Sequence, residues 1–225
     1  MLPIQTLDVI HMENNDPNLI SDIPPSIGNI RIKPYKSLLL PIPSESTTLY
    51  DTTRFTYYEV KLWPQQQLKN LFFGFGFTAN TEHVKEDIVG WDEDTIGFRY
   101  DTGNVYQETR FTAYIANKVH LADVKGDEVF GFLLDHENGE FKVTRNGKLL
   151  ENALGNRFTN EKYKSKIFKP MISSKCEQSF EMEINLGLDL VRKPFLYTDM
   201  MCLKQRMKLF GMGRNCSDVN IVCTK

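Results

Sequence analysis

Residues 90–106 read GWDEDTIGFRYDTGNVY, and this stretch decides the fold. After a Gly-Trp-Asp corner, apolar and aromatic residues occupy alternate positions at Ile96, Phe98 and Tyr100. A turn of Asp, Thr, Gly and Asn follows at residues 101–104, and a second β-prone run begins at Val105. Alternation with a period of two, closed by an Asp/Gly/Asn turn, predicts a half-buried antiparallel hairpin.

Strand-like patterns of the same kind recur along most of the chain. In residues 55–63, FTYYEVKLW, the apolar side chains alternate with Glu59 and Lys61, which share the opposite face. In residues 71–78, LFFGFGFT, aromatic side chains fall on both faces, which predicts a central strand buried on two sides. Asn146-Gly147 lies between two β-prone runs and predicts a type I′ hairpin turn, which needs two residues with positive φ.

The remaining β-prone runs complete the expected architecture. They lie at residues 30–32, 35–42, 126–134, 167–173 and 180–186. About eight or nine strands joined by turns, without helices between them, predict an all-β chain folded as an antiparallel β-sandwich.

Composition and charge exclude several functional classes. The 225 residues are 41% hydrophobic and 12% aromatic, enough for one large core, and the net charge of −2 gives no field that would attract nucleic acid. No apolar run reaches 18 residues, so we expect no membrane span. The N-terminus lacks the basic region of a secretory signal, and the four cysteines form no C-x-x-C pair. We therefore expect reduced thiols in the cytosol or nucleus.

Composition shifts predict three parts of the chain. Seven of the ten prolines lie in the first 43 residues, and we expect residues 1–27 to form a flexible Pro-rich N-terminal arm. The folded domain is expected over residues 28–197. Residues 198–225 are expected to hold a short C-terminal amphipathic helix and a tail, because Met200, Leu203, Met207 and Phe210 share one helical face. Docking of this helix on the sandwich is favoured over a partner groove or a membrane surface.

The sequence contains only incomplete versions of the motifs for catalysis, cofactor binding and metal binding. Gly74-x-Gly76-x-x-Ala79 fits the dinucleotide fingerprint, but the charged stretch that follows it has no helical period. Asp92-x-Asp94 begins like a calcium loop that lacks its closing Glu, and His136-Glu137 lacks the second His of a zinc helix. We therefore expect a non-enzymatic protein with no cofactor and no metal.

Six pieces of the sequence, in one order, resemble the SPRY domain family, and most closely its RanBPM type. They are Tyr57-Tyr58-Glu59-Val60, Gly74-Phe75-Gly76-Phe77, Gly90-Trp91-Asp92 with Ile96-Gly97-Phe98, Gly126-Asp127-Glu128-Val129-Phe130-Gly131, Phe141 with Asn146-Gly147, and Asn185-Leu186-Gly187 with Pro194-Phe195. The resemblance implies a concanavalin-like jelly-roll sandwich. It also implies a non-catalytic module that binds a short segment of a partner protein through loops at one end of the sandwich.

The resemblance also places a binding site. Carried over by alignment, it comprises His83, Lys85 and Glu86 before the Gly-Trp-Asp corner, Asp101 in the turn, and Ser174 with Lys175 before the last strand. The two lysines favour an acidic partner segment, and a solvated rim is the alternative interpretation of these charges. Core packing of Trp63 and Trp91 is favoured over a role as binding aromatics. The family leaves open a role as an adaptor that recruits substrates to a ubiquitin ligase complex. A lectin-like carbohydrate-binding domain is the alternative, because lectins share the sandwich.

Overall fold

The fold is seen in a computed structural model that describes residues 7–8, 28–32, 37–40, 54–62, 72–79, 88–108, 113–114, 127–150, 163, 166–175, 180–187 and 195–197. These residues form thirteen strands, more than the eight or nine expected, because short edge strands add to the predicted ones. In chain order the strands are β1 (Leu7–Asp8), β2 (Gly28–Ile32), β3 (Ser37–Leu39), β4 (Phe55–Leu62), β5 (Phe73–Thr78), β6 (Thr95–Arg99), β7 (Asn104–Gln107), β8 (Ala113–Tyr114), β9 (Val129–Asp135), β10 (Glu140–Arg145), β11 (Lys148–Leu149), β12 (Lys169–Ser174) and β13 (Phe180–Asn185).

The strands form two sheets, which confirms the predicted all-β sandwich. The seven-stranded sheet has the order β1-β2-β13-β4-β9-β10-β11, and the six-stranded sheet has the order β3-β12-β5-β6-β7-β8. Every pairing is antiparallel except that of β1 with β2, which is parallel. Strand β1 lies within the segment predicted as an N-terminal arm. The rest of that arm and the predicted C-terminal helix lie outside the described residues.

Half of the described residues that form the core between the sheets are aromatic. Phe75 of the six-stranded sheet stacks on Phe132 of the seven-stranded sheet with ring centroids 5.2 Å apart, and Phe98 stacks on Phe130 at 6.1 Å. Tyr58 is fully buried, and its hydroxyl donates to backbone carbonyl oxygens of the facing sheet. The alternation seen in the sequence therefore sends one set of aromatic rings inward from each sheet.

Two predicted turns are confirmed by their backbone angles. Asn146 and Gly147 have φ values of 51° and 74°, as a type I′ turn between β10 and β11 requires. Gly103 has a φ of 67° in the turn between β6 and β7, and its amide donates to the Arg99 carbonyl at 2.9 Å. The register of the second hairpin is thereby fixed, with Phe98 opposite Val105 and both side chains in the core.

Each sheet also carries a covering segment on its outer face. Residues 88–91 cross the six-stranded sheet, where Val89 packs with Leu39 and Met171 in a separate small cluster. Residues 195–197 cover the seven-stranded sheet over Tyr57. As a result, outward-facing side chains of both sheets are buried, and each sheet has a second packed layer.

Candidate functional site

The corner at residues 88–91 is held flat against the six-stranded sheet by glycine and hydroxyl groups. A Cβ on Gly97 would collide with the backbone carbonyl of Val89, and one on Gly74 would come within 2.7 Å of the Ile88 side chain. The Val89 amide donates to Ser173 Oγ at 2.8 Å, and the Gly90 amide donates to Thr95 Oγ1 at 2.9 Å. The two strand glycines thus provide a smooth floor that lets the corner approach closely.

This corner delivers Trp91 to a group of aromatic and charged side chains on the outer face of the sheet. We call this group the Arg99 cluster; its members are Phe72, Trp91, Arg99, Asp101, Tyr106 and Lys175. They come from six places along the chain, of which the corner supplies Trp91 and the turn between β6 and β7 supplies Asp101. Phe72 precedes β5, Arg99 ends β6, Tyr106 lies in β7, and Lys175 follows β12.

The Arg99 guanidinium is the centre of the cluster. Its Cζ atom lies 3.8 Å from the ring centroid of Phe72, 5.2 Å from that of Trp91 and 5.4 Å from that of Tyr106. Its Nε donates to Asp101 Oδ1 at 3.0 Å, and an Nη atom donates to the other carboxylate oxygen. Three rings and a bidentate carboxylate therefore fix one cation in place.

The outer part of the cluster is open to solvent. Arg99 and Tyr106 are buried, whereas Phe72, Trp91, Asp101 and Lys175 are half-buried. The Lys175 ammonium lies 5.1 Å from the Trp91 ring centroid, and the Phe72 and Trp91 rings meet edge to face at 5.8 Å. Because the cluster contains two cations and one carboxylate, its formal charge is positive.

The structure brings together two of the six residues predicted for the site. Asp101 and Lys175 both join the Arg99 cluster. Ser174 is 2% exposed, so a partner cannot contact its side chain. His83, Lys85 and Glu86 lie outside the described residues.

The prediction that Trp91 packs in the core is wrong. Its indole is half-buried on the outer face of the six-stranded sheet and lies outside the core between the sheets. The corner turns the chain away from the core there, with the Trp91 amide donating to the Ile88 carbonyl at 3.1 Å. Trp63 lies outside the described residues.

Four members of the cluster were not among the predicted site residues: Phe72, Trp91, Arg99 and Tyr106. Alternation along residues 95–100 already placed Arg99 on the face opposite Ile96 and Phe98. What was not visible is the register that puts Gly97 opposite Tyr106 and Gly74 opposite Arg99. A charged residue at an outward position beside aromatic strands is the signal that could have suggested the cluster.

The described residues offer little for metal binding or membrane spanning. No group of three or more His, Cys, Asp and Glu side chains among them is arranged to hold a metal ion. Within the same parts of the chain, no helix has the length and apolar character needed to cross a bilayer. What the Arg99 cluster offers chemically is apolar contact and charge, as in a recognition surface.

Comparison with known proteins identifies the family to which this architecture corresponds. The model of the SPRY domain family matches residues 55–189, which is 135 of the 225 residues. The crystal structure of the SPRY domain of human HERC1 is 9% identical, with 70% of this chain and 77% of that chain covered and a TM-score of 0.40. A crystal structure of a human SPRY domain is 13% identical, with 68% and 84% covered and a TM-score of 0.39. No curated protein is significantly similar to the chain in sequence.

Proposed function

Because the chain belongs to the SPRY domain family, whose members are protein–protein interaction modules, we propose that it binds a short segment of a partner protein at the Arg99 cluster and performs no catalysis. The observation that carries this proposal is that the Arg99 cluster is partly exposed to solvent. Trp is among the residue types that contribute most to binding at protein interfaces, and the half-buried Trp91 is supported there by the buried side chains of Arg99 and Tyr106.

The cluster is suited to binding because its parts are fixed before a partner arrives. Arg99 is held by Asp101 and by three rings, so its rotamer is already selected. The Lys175 amide donates to the Phe72 carbonyl at 2.9 Å, which ties the end of β12 to the start of β5. A preformed surface loses little conformational entropy on binding, so its contacts translate into affinity.

The chemistry of the open side chains favours an acidic partner segment with an apolar or aromatic residue. Phe72 and Trp91 offer half-buried ring surface, and Lys175 offers a cation at the edge of the indole. The excess of one positive charge in the cluster favours a carboxylate on the partner over a second cation. Asp101 is already engaged by Arg99 and disfavours bound acid only weakly.

A peptide-display selection against the full chain tests the proposal. We expect acidic peptides, whose dissociation constant rises at least tenfold in Lys175→Glu. The matched control is Lys148→Glu, the same charge reversal at an exposed position on the edge of the other sheet, where binding should be unchanged. Equal weakening by both variants, or by neither, would contradict the site. A positive glycan array with no peptide selected would favour the lectin-like alternative.

The resemblance to the RanBPM type extends the proposal to a role as an adaptor in the cytosol or nucleus. In that role the chain would recruit the bound protein to a ubiquitin ligase complex. The order of the six motifs supports the SPRY family that this role presupposes, and the lack of C-x-x-C pairs among the four cysteines supports the cytosol or nucleus. Purification of the tagged chain from cells tests this extension. Ligase subunits should co-purify with wild type and equally with the control variant Lys148→Glu, and their absence from both would contradict the role.

A further inference from the structure

The outer face of the seven-stranded sheet carries a short covering segment, residues 195–197, which we call the clasp. Its alternation sends Phe195 and Tyr197 toward the sheet, where they are 2% and 9% exposed, and leaves Leu196 half exposed. The Tyr57 ring meets Phe195 edge to face with centroids 4.6 Å apart, and the tilted ring of Tyr197 lies with its centroid 6.0 Å away. Two aromatic contacts therefore seat the clasp on β4.

A single carboxylate holds the backbone of the clasp. Glu59 Oε1 accepts hydrogen bonds from the Leu196 amide at 2.8 Å and from the Tyr197 amide at 3.2 Å. The same oxygen accepts from the Tyr57 hydroxyl at 2.8 Å. Glu59 is only 4% exposed, so the clasp shields the group that anchors it.

The sheet leaves room for this polar group beneath the clasp. The Tyr57 hydroxyl also lies 3.2 Å from Thr144 Oγ1, across β9. Between them stands Gly131, where a Cβ would collide with both hydroxyl groups. The hydrogen bonds of Glu59, Tyr57 and Thr144 therefore form one network on the outer face, and this network joins β4 to β10 across β9.

We propose that Glu59 is a latch: it holds the clasp on the sheet, and its ionisation loosens the clasp, so that residues 195–197 leave the sheet more readily as the pH rises through neutrality. The device is independent of the Arg99 cluster, which lies on the outer face of the other sheet.

The direction of the pH effect follows from burial. Desolvation raises the pKa of Glu59 from 4.5 to about 7, against the lowering effect of the hydrogen bonds from Tyr57 and from the clasp amides. When the clasp opens, Glu59 meets water and its pKa returns toward 4.5. The closed state therefore keeps a proton that the open state loses. Closure is favoured fully below pH 4.5 and progressively less as the pH rises through 7.

Other ionisable groups share this outer face. Tyr57 and Tyr197 are the nearest, and burial raises the pKa of the Tyr57 hydroxyl well above 10, so it stays neutral in this range. On β4, Lys61 pairs with Asp127 at 3.3 Å, and Glu183 of β13 lies opposite Lys61 in the register. On β10, Lys142 pairs with Glu140 at 2.5 Å. Burial raises the pKa of Glu59, and its three hydrogen-bond donors lower it only in part.

Hydrogen exchange of the Leu196 and Tyr197 amides in the full chain tests the latch. With Glu59 titrating at about 7 in the closed clasp and at 4.5 in water, the opening constant should be about tenfold larger at pH 8 than at pH 6, after correction for intrinsic exchange. Glu59→Gln keeps an acceptor but cannot ionise, so its opening constant should not change with pH. Glu59→Ala removes the anchor and should raise opening at least tenfold at pH 6. The matched control is Glu183→Gln, a carboxylate of the same face, which should behave as wild type.

Several results would overturn the latch. They are clasp amides without protection at either pH, protection in wild type that does not depend on pH, and a pH response that persists in Glu59→Gln. A tenfold change in the amides of β9 that matches the change in the clasp would also overturn it, because opening would then be global. If Glu59→Ala does not fold, Glu59→Gln decides the question by itself.

Discussion

Replacing Arg99 by Ala removes the centre of the Arg99 cluster. The substitution abolishes the bidentate pair with Asp101 and the stacking of the guanidinium on Phe72, Trp91 and Tyr106. It also leaves the half-buried Asp101 carboxylate without its cation. The core between the sheets is untouched, since Arg99 points away from it, so we expect a folded but less stable domain.

The magnitude follows from the exposure of the two partners. The side chains of Arg99 and Asp101 are 10% and 24% exposed, so their pair is partly screened and should contribute about 1–2 kcal/mol. A partly desolvated cation–π contact adds about 1 kcal/mol, most of it from Phe72 at 3.8 Å. Burial of the Arg99 methylene groups adds about 1 kcal/mol. Arg99→Ala should therefore lower the free energy of unfolding by roughly 3–4 kcal/mol.

A double-mutant cycle separates these contributions. Urea denaturation of wild type, Arg99→Ala, Asp101→Ala and the double variant should give a coupling energy of about 1–2 kcal/mol. The remaining loss in Arg99→Ala then belongs to the rings and the aliphatic stem. A loss below about 0.5 kcal/mol in Arg99→Ala, or a coupling near zero, would refute the reasoning that this cation is fixed by its neighbours.

Three further predictions concern the corner and the two outer faces. Trp91→Ala should stay folded, and its free energy of unfolding in urea denaturation should fall by about 1–2 kcal/mol, because the indole is half-buried on an outer face. An unfolded variant would instead indicate that Trp91 packs in the core. The stability difference between wild type and Glu59→Gln should fall by roughly 2–3 kcal/mol from pH 5 to pH 8, since burial raises the pKa of Glu59 to about 7. Burial lowers the pKa of His136, so this residue makes the fold more stable as the pH rises, but by the same amount in wild type and in Glu59→Gln. A stability difference between the two proteins that does not change with pH would contradict the prediction. Gly131→Ala should cost roughly 2–3 kcal/mol, because its methyl group must displace the Tyr57 hydroxyl, and a neutral effect measured by thermal melting would count against the network beneath the clasp.

Local patterns in the sequence determined most of the strands and their turns. Tyr58, Val60 and Leu62 were predicted to share one face of β4, and all three lie in the core. The pair Asn146-Gly147 requires positive φ at both positions, and the hairpin it predicted is present. These features are readable because a strand's side-chain period and a turn's backbone angles depend on neighbouring residues alone.

The outer faces were beyond such reasoning. The sequence placed Glu59 opposite the core residues of β4, but only the fold shows that residues 195–197 bury it. Similarly, alternation placed Arg99 outward, but its contact with Phe72 depends on the pairing of β5 with β6.

The sequence by itself therefore determined the sandwich, the inward face of its main strands and the family, through short patterns and their order. The tertiary structure alone decided which outward side chains are buried, that Trp91 leaves the core, and that Ser174 is enclosed while Lys175 is half-open. The physical reason is that alternation specifies a face but not what covers it. Cover comes from segments such as residues 88–91 and 195–197, which reach the sheet only after distant strands have paired.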